Sequence, residues 1–266
     1  MRDLNPLLAT LEDLRVEGRA ALCGYFLAGY PTPESFYRLV RAARELDVIE
    51  FGIPAETPRI DGPVIASAHE VVTETRGIGA ETALALIGGL REIRQPRFVM
   101  TYADVGRGLA GFLRLCTLNG VHGMLAPDLA DYETDQVVLV TRALGMASFT
   151  LVDARADDAA FERAVRYGDV IYIKASPATQ TGQAVDLVGE MGEVIAGAVR
   201  RLRALKPAAA LAIGIGIQRP EQVAALSTLG VDMIIVGTKM VEHVHAGEAA
   251  LVDYVRALKA ATYRPR

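Results

Sequence analysis

Cysteine is scarce: Cys23 and Cys116 are the only two in 266 residues. Two isolated thiols cannot build a disulfide framework, so a reducing compartment is expected. No apolar run reaches the length needed to span a bilayer. There is no Lys/Arg cluster, and the formal net charge is −4, which excludes nucleic acid and an anionic membrane surface as expected partners. The opening Met1-Arg2-Asp3-Leu4-Asn5-Pro6 has an acid and a proline where a signal peptide needs its apolar core, so a soluble, cytoplasmic protein is expected. No metal site is expected: His243 and His245 lack a carboxylate or Cys constellation, and His69 and His122 stand isolated. No cofactor is expected. Asp157-Asp158 reads as a solvated helix start.

What the chain has in quantity is apolar residues, 51% of the total, enough for a substantial core. They fall into short runs: 21–28, 47–53, 97–103, 121–127, 147–153, 169–175, 208–216 and 233–238. Most are continuous rather than alternating, as in parallel strands buried on both faces. Amphipathic segments lie between them. Thr32-Pro33-Glu34 opens one helix, with Thr as N-cap and Pro at the first helical position, and Arg219-Pro220-Glu221 opens another. Longer helices are expected over 186–205 and 242–260, and an extra one over 4–15 at the barrel's bottom. Eight strands alternating with helices predict a (β/α)8 TIM barrel, as a single domain over 1–266. A doubly wound open sheet is the competitor, but the first strand leads into Ala28-Gly29-Tyr30-Pro31 rather than a glycine-rich dinucleotide fingerprint.

Polar residues in otherwise apolar strands mark the chemistry. Glu50 is flanked by Val48, Ile49, Phe51 and Ile53, and an acid in that setting is costly unless it is paired, neutralised or used. The bland alternative is a structural Glu satisfied by backbone amides or a cation. Asp61, at the end of the loop leaving the same strand, favours the catalytic reading. In a barrel of this kind the active site lies at the strands' C-terminal ends. Glu50, Asp61, Tyr102, Tyr172 and Lys174 would all face that mouth. Gly214-Ile215-Gly216 and Gly237-Thr238 close the seventh and eighth strands, where such barrels commonly hold phosphate on backbone amides and a helix N-terminus. Lys239 adds charge there or is a solvated helix residue.

Together these residues resemble the tryptophan synthase α subunit family, particularly its actinobacterial forms. The shared segments include Ile49-Glu50-Phe51-Gly52-Ile53-Pro54, Asp61-Gly62-Pro63-Val64-Ile65, Met100-Thr101-Tyr102, Pro127-Asp128-Leu129, Thr181-Gly182 and Ile235-Val236-Gly237-Thr238. The resemblance implies a lyase that splits indole-3-glycerol phosphate into indole and glyceraldehyde 3-phosphate, with no cofactor. It implies Glu50 as general acid and base, and Asp61 as acceptor of the indole N–H. It further implies Tyr25, Tyr102, Tyr172, Lys174 and Thr181 as pocket residues, with Thr181 and Gly182 in a mobile lid. Phosphate falls to Gly182, Gly214, Gly216, Gly237 and Thr238.

The chain departs from the family in the loop Pro54-Ala55-Glu56-Thr57-Pro58, where Thr57 replaces an acid that helps couple α to β subunits. It departs again at Asp104-Val105, at Ile215 and in the segment 174–180. These changes predict weak or absent coupling to a β subunit. Lys174, two residues beyond Tyr172, shares its strand face, and Ile173-Lys174-Ala175-Ser176 is similar to the local pattern of aldolases that use a sixth-strand lysine. A desolvated lysine suits Schiff-base chemistry. The bland reading ranks first: a strand-end lysine reaching solvent or pairing with Glu50, Asp61 or Asp104. Three readings therefore stand: an acid–base lyase, a Lys174 aldolase acting on another phosphorylated carbonyl or polyol, and a barrel kept only as a binding partner. Retention of both carboxylates speaks against the last.

Overall fold

Eight parallel strands pair in chain order and close on themselves: β1 (Ala21–Leu27), β2 (Val48–Gly52), β3 (Arg97–Met100), β4 (Gly123–Leu125), β5 (Ala147–Asp153), β6 (Val170–Lys174), β7 (Ala210–Ile213) and β8 (Met233–Val236). Each of the eight apolar runs supplies one strand, so the barrel expected from the sequence is the barrel found. The computed structural model describes residues 5–104, 109–129, 131–175, 189–214 and 216–263.

Among the described residues the helices are α1 (Pro6–Val16), α2 (Pro33–Ala42), α3 (Pro63–Glu70), α4 (Ala80–Gly88), α5 (Leu109–Leu118), α6 (Asp131–Ala143), α7 (Asp158–Tyr167), α8 (Glu190–Leu205), α9 (Pro220–Thr228), α10 (Thr238–Ala246) and α11 (Glu248–Ala260). None is long and apolar enough to cross a membrane. The Thr32 hydroxyl accepts the Ser35 N–H at 3.1 Å, which caps α2 as its sequence suggests. Asp157 caps α7 in the same manner.

One expected helix is two. The stretch 242–260 is broken at Gly247, whose φ of +111° ends α10 and begins α11. That backbone conformation favours glycine, and the amphipathic pattern runs through it because both helices bury a face.

Side-chain alternation sorts each strand into an inner and an outer set. Ile49 and Phe51 of β2 pack outward with the helices, whereas Val48 joins the inner cluster. By parity Glu50 and Gly52 also point inward. Phe98 and Phe149 stack across the interior with ring centroids 4.6 Å apart, so the barrel is a filled core. Leu7, Leu11 and Leu14 of α1 join this inner cluster. The Asn5 amide donates to the carbonyls of His122 and Gly145, just before β4 and β5, which seats α1 at the strands' N-terminal end. At that end too, Asp47 accepts both Arg19 N–H groups, at 2.9 and 3.0 Å, the Leu22 N–H and Lys259.

Candidate active site

Glu50 is carried into the barrel by the alternation of β2. It is 5% exposed, and the register pairs it with Tyr25 on β1. Burial and the nearby charge of Asp61 push its carboxyl pKa up to about 8. Glu50 is therefore mostly protonated at neutral pH yet able to ionise. A group whose pKa lies near the working pH is well matched to giving and taking a proton.

Asp61 is held by the turn that starts α3. It directly precedes Gly62, the N-cap of that helix, where the helix dipole favours a negative charge. The Tyr102 hydroxyl, just beyond β3, donates to Asp61 Oδ2 at 2.7 Å and accepts the Ile60 N–H at 3.3 Å. Burial and the Asp61 charge raise the Tyr102 pKa, so the phenol stays a donor. Tyr25 and Tyr172 are buried as well. The charges of Asp61 and Glu50 act on both, and burial first and these charges second raise their pKa values. Three neutral phenols and two carboxyl groups thus share one inner surface.

Glycines make room for these rings. A Cβ at Gly52 would stand 2.0 Å from the Tyr25 hydroxyl oxygen, which no side chain could tolerate. After β7, Gly216 has φ +82°, a glycine conformation. Gly237 caps α10, and the Thr238 hydroxyl at that helix's first turn is buried with no hydrogen-bond partner among the described residues. Lys239 pairs with Glu242 on its own helix, which accounts for its charge.

Lys174 shares the inward parity of Tyr172 but lies at the strand's end and is only partly buried. It makes no ion pair with Glu50, Asp61 or Asp104 among the described residues. Asp104 is instead bound by Arg59. Lys174 borders a cavity of about 190 Å³ together with Met124, Phe149, Leu151, Arg163 and Tyr167, and neither Glu50 nor Asp61 lines it. Thr181, Gly182 and Ile215 lie outside the described residues. Sequence reading missed one residue of the site, His69, which stands beside Asp61; the eight-residue separation along the chain carried no signal for that contact.

The family model for the tryptophan synthase alpha chain matches residues 11–263. Among curated relatives, the tryptophan synthase alpha chain of Laribacter hongkongensis is 29% identical over 265 residues, covering 97% of each chain. That of Halorhodospira halophila is 32% identical, covering 91% of this chain and 89% of its own. Among solved structures, a Mycobacterium tuberculosis tryptophan synthase is similar with a TM-score of 0.87 at 24% identity, covering 98% of this chain and 99% of that one.

Proposed function

The chain belongs to the tryptophan synthase alpha chain family, and on that premise we propose that it cleaves indole-3-glycerol phosphate to indole and glyceraldehyde 3-phosphate through Glu50 and Asp61. The activity is that of a carbon–carbon lyase in tryptophan biosynthesis. What supports the residue assignment is the pair itself: Glu50 buried in the barrel interior, its carboxyl pushed up by burial and by the charge of Asp61, and Asp61 anchored by the Tyr102 hydroxyl at 2.7 Å.

The chemistry requires a proton on the indole ring carbon that bears the glycerol chain, and loss of a proton from the adjacent hydroxyl. Protonated Glu50 delivers the first. The ring then carries positive charge, which Asp61 stabilises by accepting the indole N–H. The Glu50 carboxylate next takes the hydroxyl proton as the carbon–carbon bond breaks, leaving an aldehyde and neutral indole. One proton has moved from oxygen to carbon, and Glu50 is restored. Tyr25, Tyr102 and Tyr172 shape the pocket and keep water out. The phosphate rests on the Gly216 and Gly237 turns and on Thr238, whose buried hydroxyl suits an anion at the α10 N-terminus. Thr181 and Gly182 are assigned to substrate binding in the same reading.

Coupling to a β subunit is inferred to be weak. Thr57 stands in the loop where the family carries an acid, and Arg59 of that loop binds Asp104 and Asp128 of this same chain at 3.2 and 3.5 Å.

Glu50→Gln and Asp61→Asn, assayed on indole-3-glycerol phosphate for indole and triose phosphate release, test the assignment. Each is expected to lower turnover by about two to four orders of magnitude in a folded protein. Unchanged turnover in a folded Glu50→Gln protein would sink it.

A further inference from the structure

His69 lies on α3, eight residues past Asp61, and is 0% exposed. Side chains on a helix lean toward its N-terminus, which aims this imidazole back at the start of α3. Its Nδ1 accepts the Ala55 N–H at 3.0 Å. A neutral imidazole with an accepting Nδ1 carries its proton on Nε2. That Nε2 stands 3.5 Å from the Tyr25 hydroxyl and 3.7 Å from Asp61 Oδ2.

We propose that His69 is a positioning residue for Asp61: an imidazole locked as the Nε2–H tautomer by the Ala55 main chain, directing its N–H at the carboxylate that Tyr102 holds from the other side. This deepens the assignment of Asp61 above and rests on it. Burial lowers the His69 pKa to about 4, so the ring is neutral at physiological pH. Neutrality matters chemically. An imidazolium here would cancel the negative charge that Asp61 needs opposite a cationic indole, whereas a neutral donor orients the carboxylate and leaves its charge intact. At 3.7 Å the contact with Asp61 is an electrostatic one, and the hydrogen-bonded neighbour of Nε2 is the Tyr25 hydroxyl at 3.5 Å, so the N–H lies between the phenol and the carboxylate. The Ala55 link also ties the loop after β2 to α3, so the same ring fixes both the carboxylate and the chain leading to it.

A double-mutant cycle tests this, with His69→Leu, His69→Gln, Asp61→Asn and the pairwise combinations assayed on indole-3-glycerol phosphate. His69→Leu is expected to lower kcat about 10-fold, the scale of losing one oriented polar contact, with KM changed far less. Glutamine, whose amide N–H can take the place of Nε2–H, should restore most of the loss. In the Asp61→Asn background the leucine change should cost almost nothing further. Equal losses in both backgrounds, or no rescue by glutamine, would show a merely structural histidine and overturn the proposal. An inactive Asp61→Asn beside a fully active His69→Leu overturns the positioning role alone. Wild-type turnover in Asp61→Asn overturns the reading of Asp61 and this proposal with it. Should His69→Leu not fold, ring ¹⁵N shifts of the native protein at pH 7 decide: a bare Nδ1 and protonated Nε2 support the proposal, and a protonated Nδ1 refutes it.

Discussion

Gly214, which follows β7, lies so close to Tyr172 on β6 that a Cβ built there would stand 2.4 Å from the phenol oxygen. The sequence suggested this glycine as part of a phosphate cradle. What the structure shows of it is the room it leaves for the buried Tyr172 ring. Gly214→Ala is therefore expected to push Tyr172 aside and to cost about 1–3 kcal/mol of stability through overpacking. The value of kcat/KM should fall at least about tenfold. Urea unfolding and steady-state kinetics measure both. Wild-type values in the two experiments would show that Tyr172 moves freely and that the close approach is incidental.

Glu50 makes stability depend on pH in a definite direction. Its carboxyl pKa rises from 4.5 to about 8 on folding. Between those values the native state keeps a proton that the unfolded chain gives up. The stabilisation is fully present below about pH 4.5 and is lost as pH rises toward 8, at up to about 1.4 kcal/mol per pH unit. The unfolding free energy of the wild type should thus decline relative to that of Glu50→Gln between pH 5 and 8. His69 is common to both proteins and cancels. Parallel stability profiles would mean that Glu50 titrates alike in both states.

Lys174 separates acid–base cleavage from Schiff-base chemistry. An imine is trapped irreversibly by borohydride, whereas Glu50 and Asp61 together need no amine. No mass adduct on Lys174 is expected after borohydride treatment with glyceraldehyde phosphate or dihydroxyacetone phosphate. Lys174→Met should lose only part of the activity. A substrate-dependent adduct abolished by the methionine change would promote the aldolase reading.

Partner coupling is tested by mixing. With Thr57 in the loop and Arg59 bound to Asp104 and Asp128, a purified tryptophan synthase β subunit is expected to change the turnover of this chain little. Assays of both activities, alone and together, give the answer. Strong mutual activation would show that the altered loop still docks.

Much of the barrel could be read directly. Continuous apolar runs such as 169–175 are what a strand covered on both faces requires, and Pro33 and Pro220 mark helix starts by their own stereochemistry. Glu50 stood out because its neighbours are apolar. The break at Gly247 was hidden, since the pattern around it satisfies two short helices as well as one long one. His69 was hidden for a different reason. A histidine on a helix signals nothing until the partner it faces is known.

Local pattern in the chain carries the alternation of strands and helices and the apolar surroundings of Glu50. These depend on neighbours one to four residues apart, and their periodicity survives in the linear order. The assembly of the candidate site comes from packing of the whole chain. Closing the barrel brings Tyr102 to Asp61, sets His69 between Ala55 and Asp61, and leaves Lys174 beside a cavity that neither carboxylate lines. It also sets the acidity of Glu50, because desolvation and the Asp61 charge arise only when the segments meet. Distances between residues far apart in the chain are fixed by packing of the whole, and no local pattern encodes them.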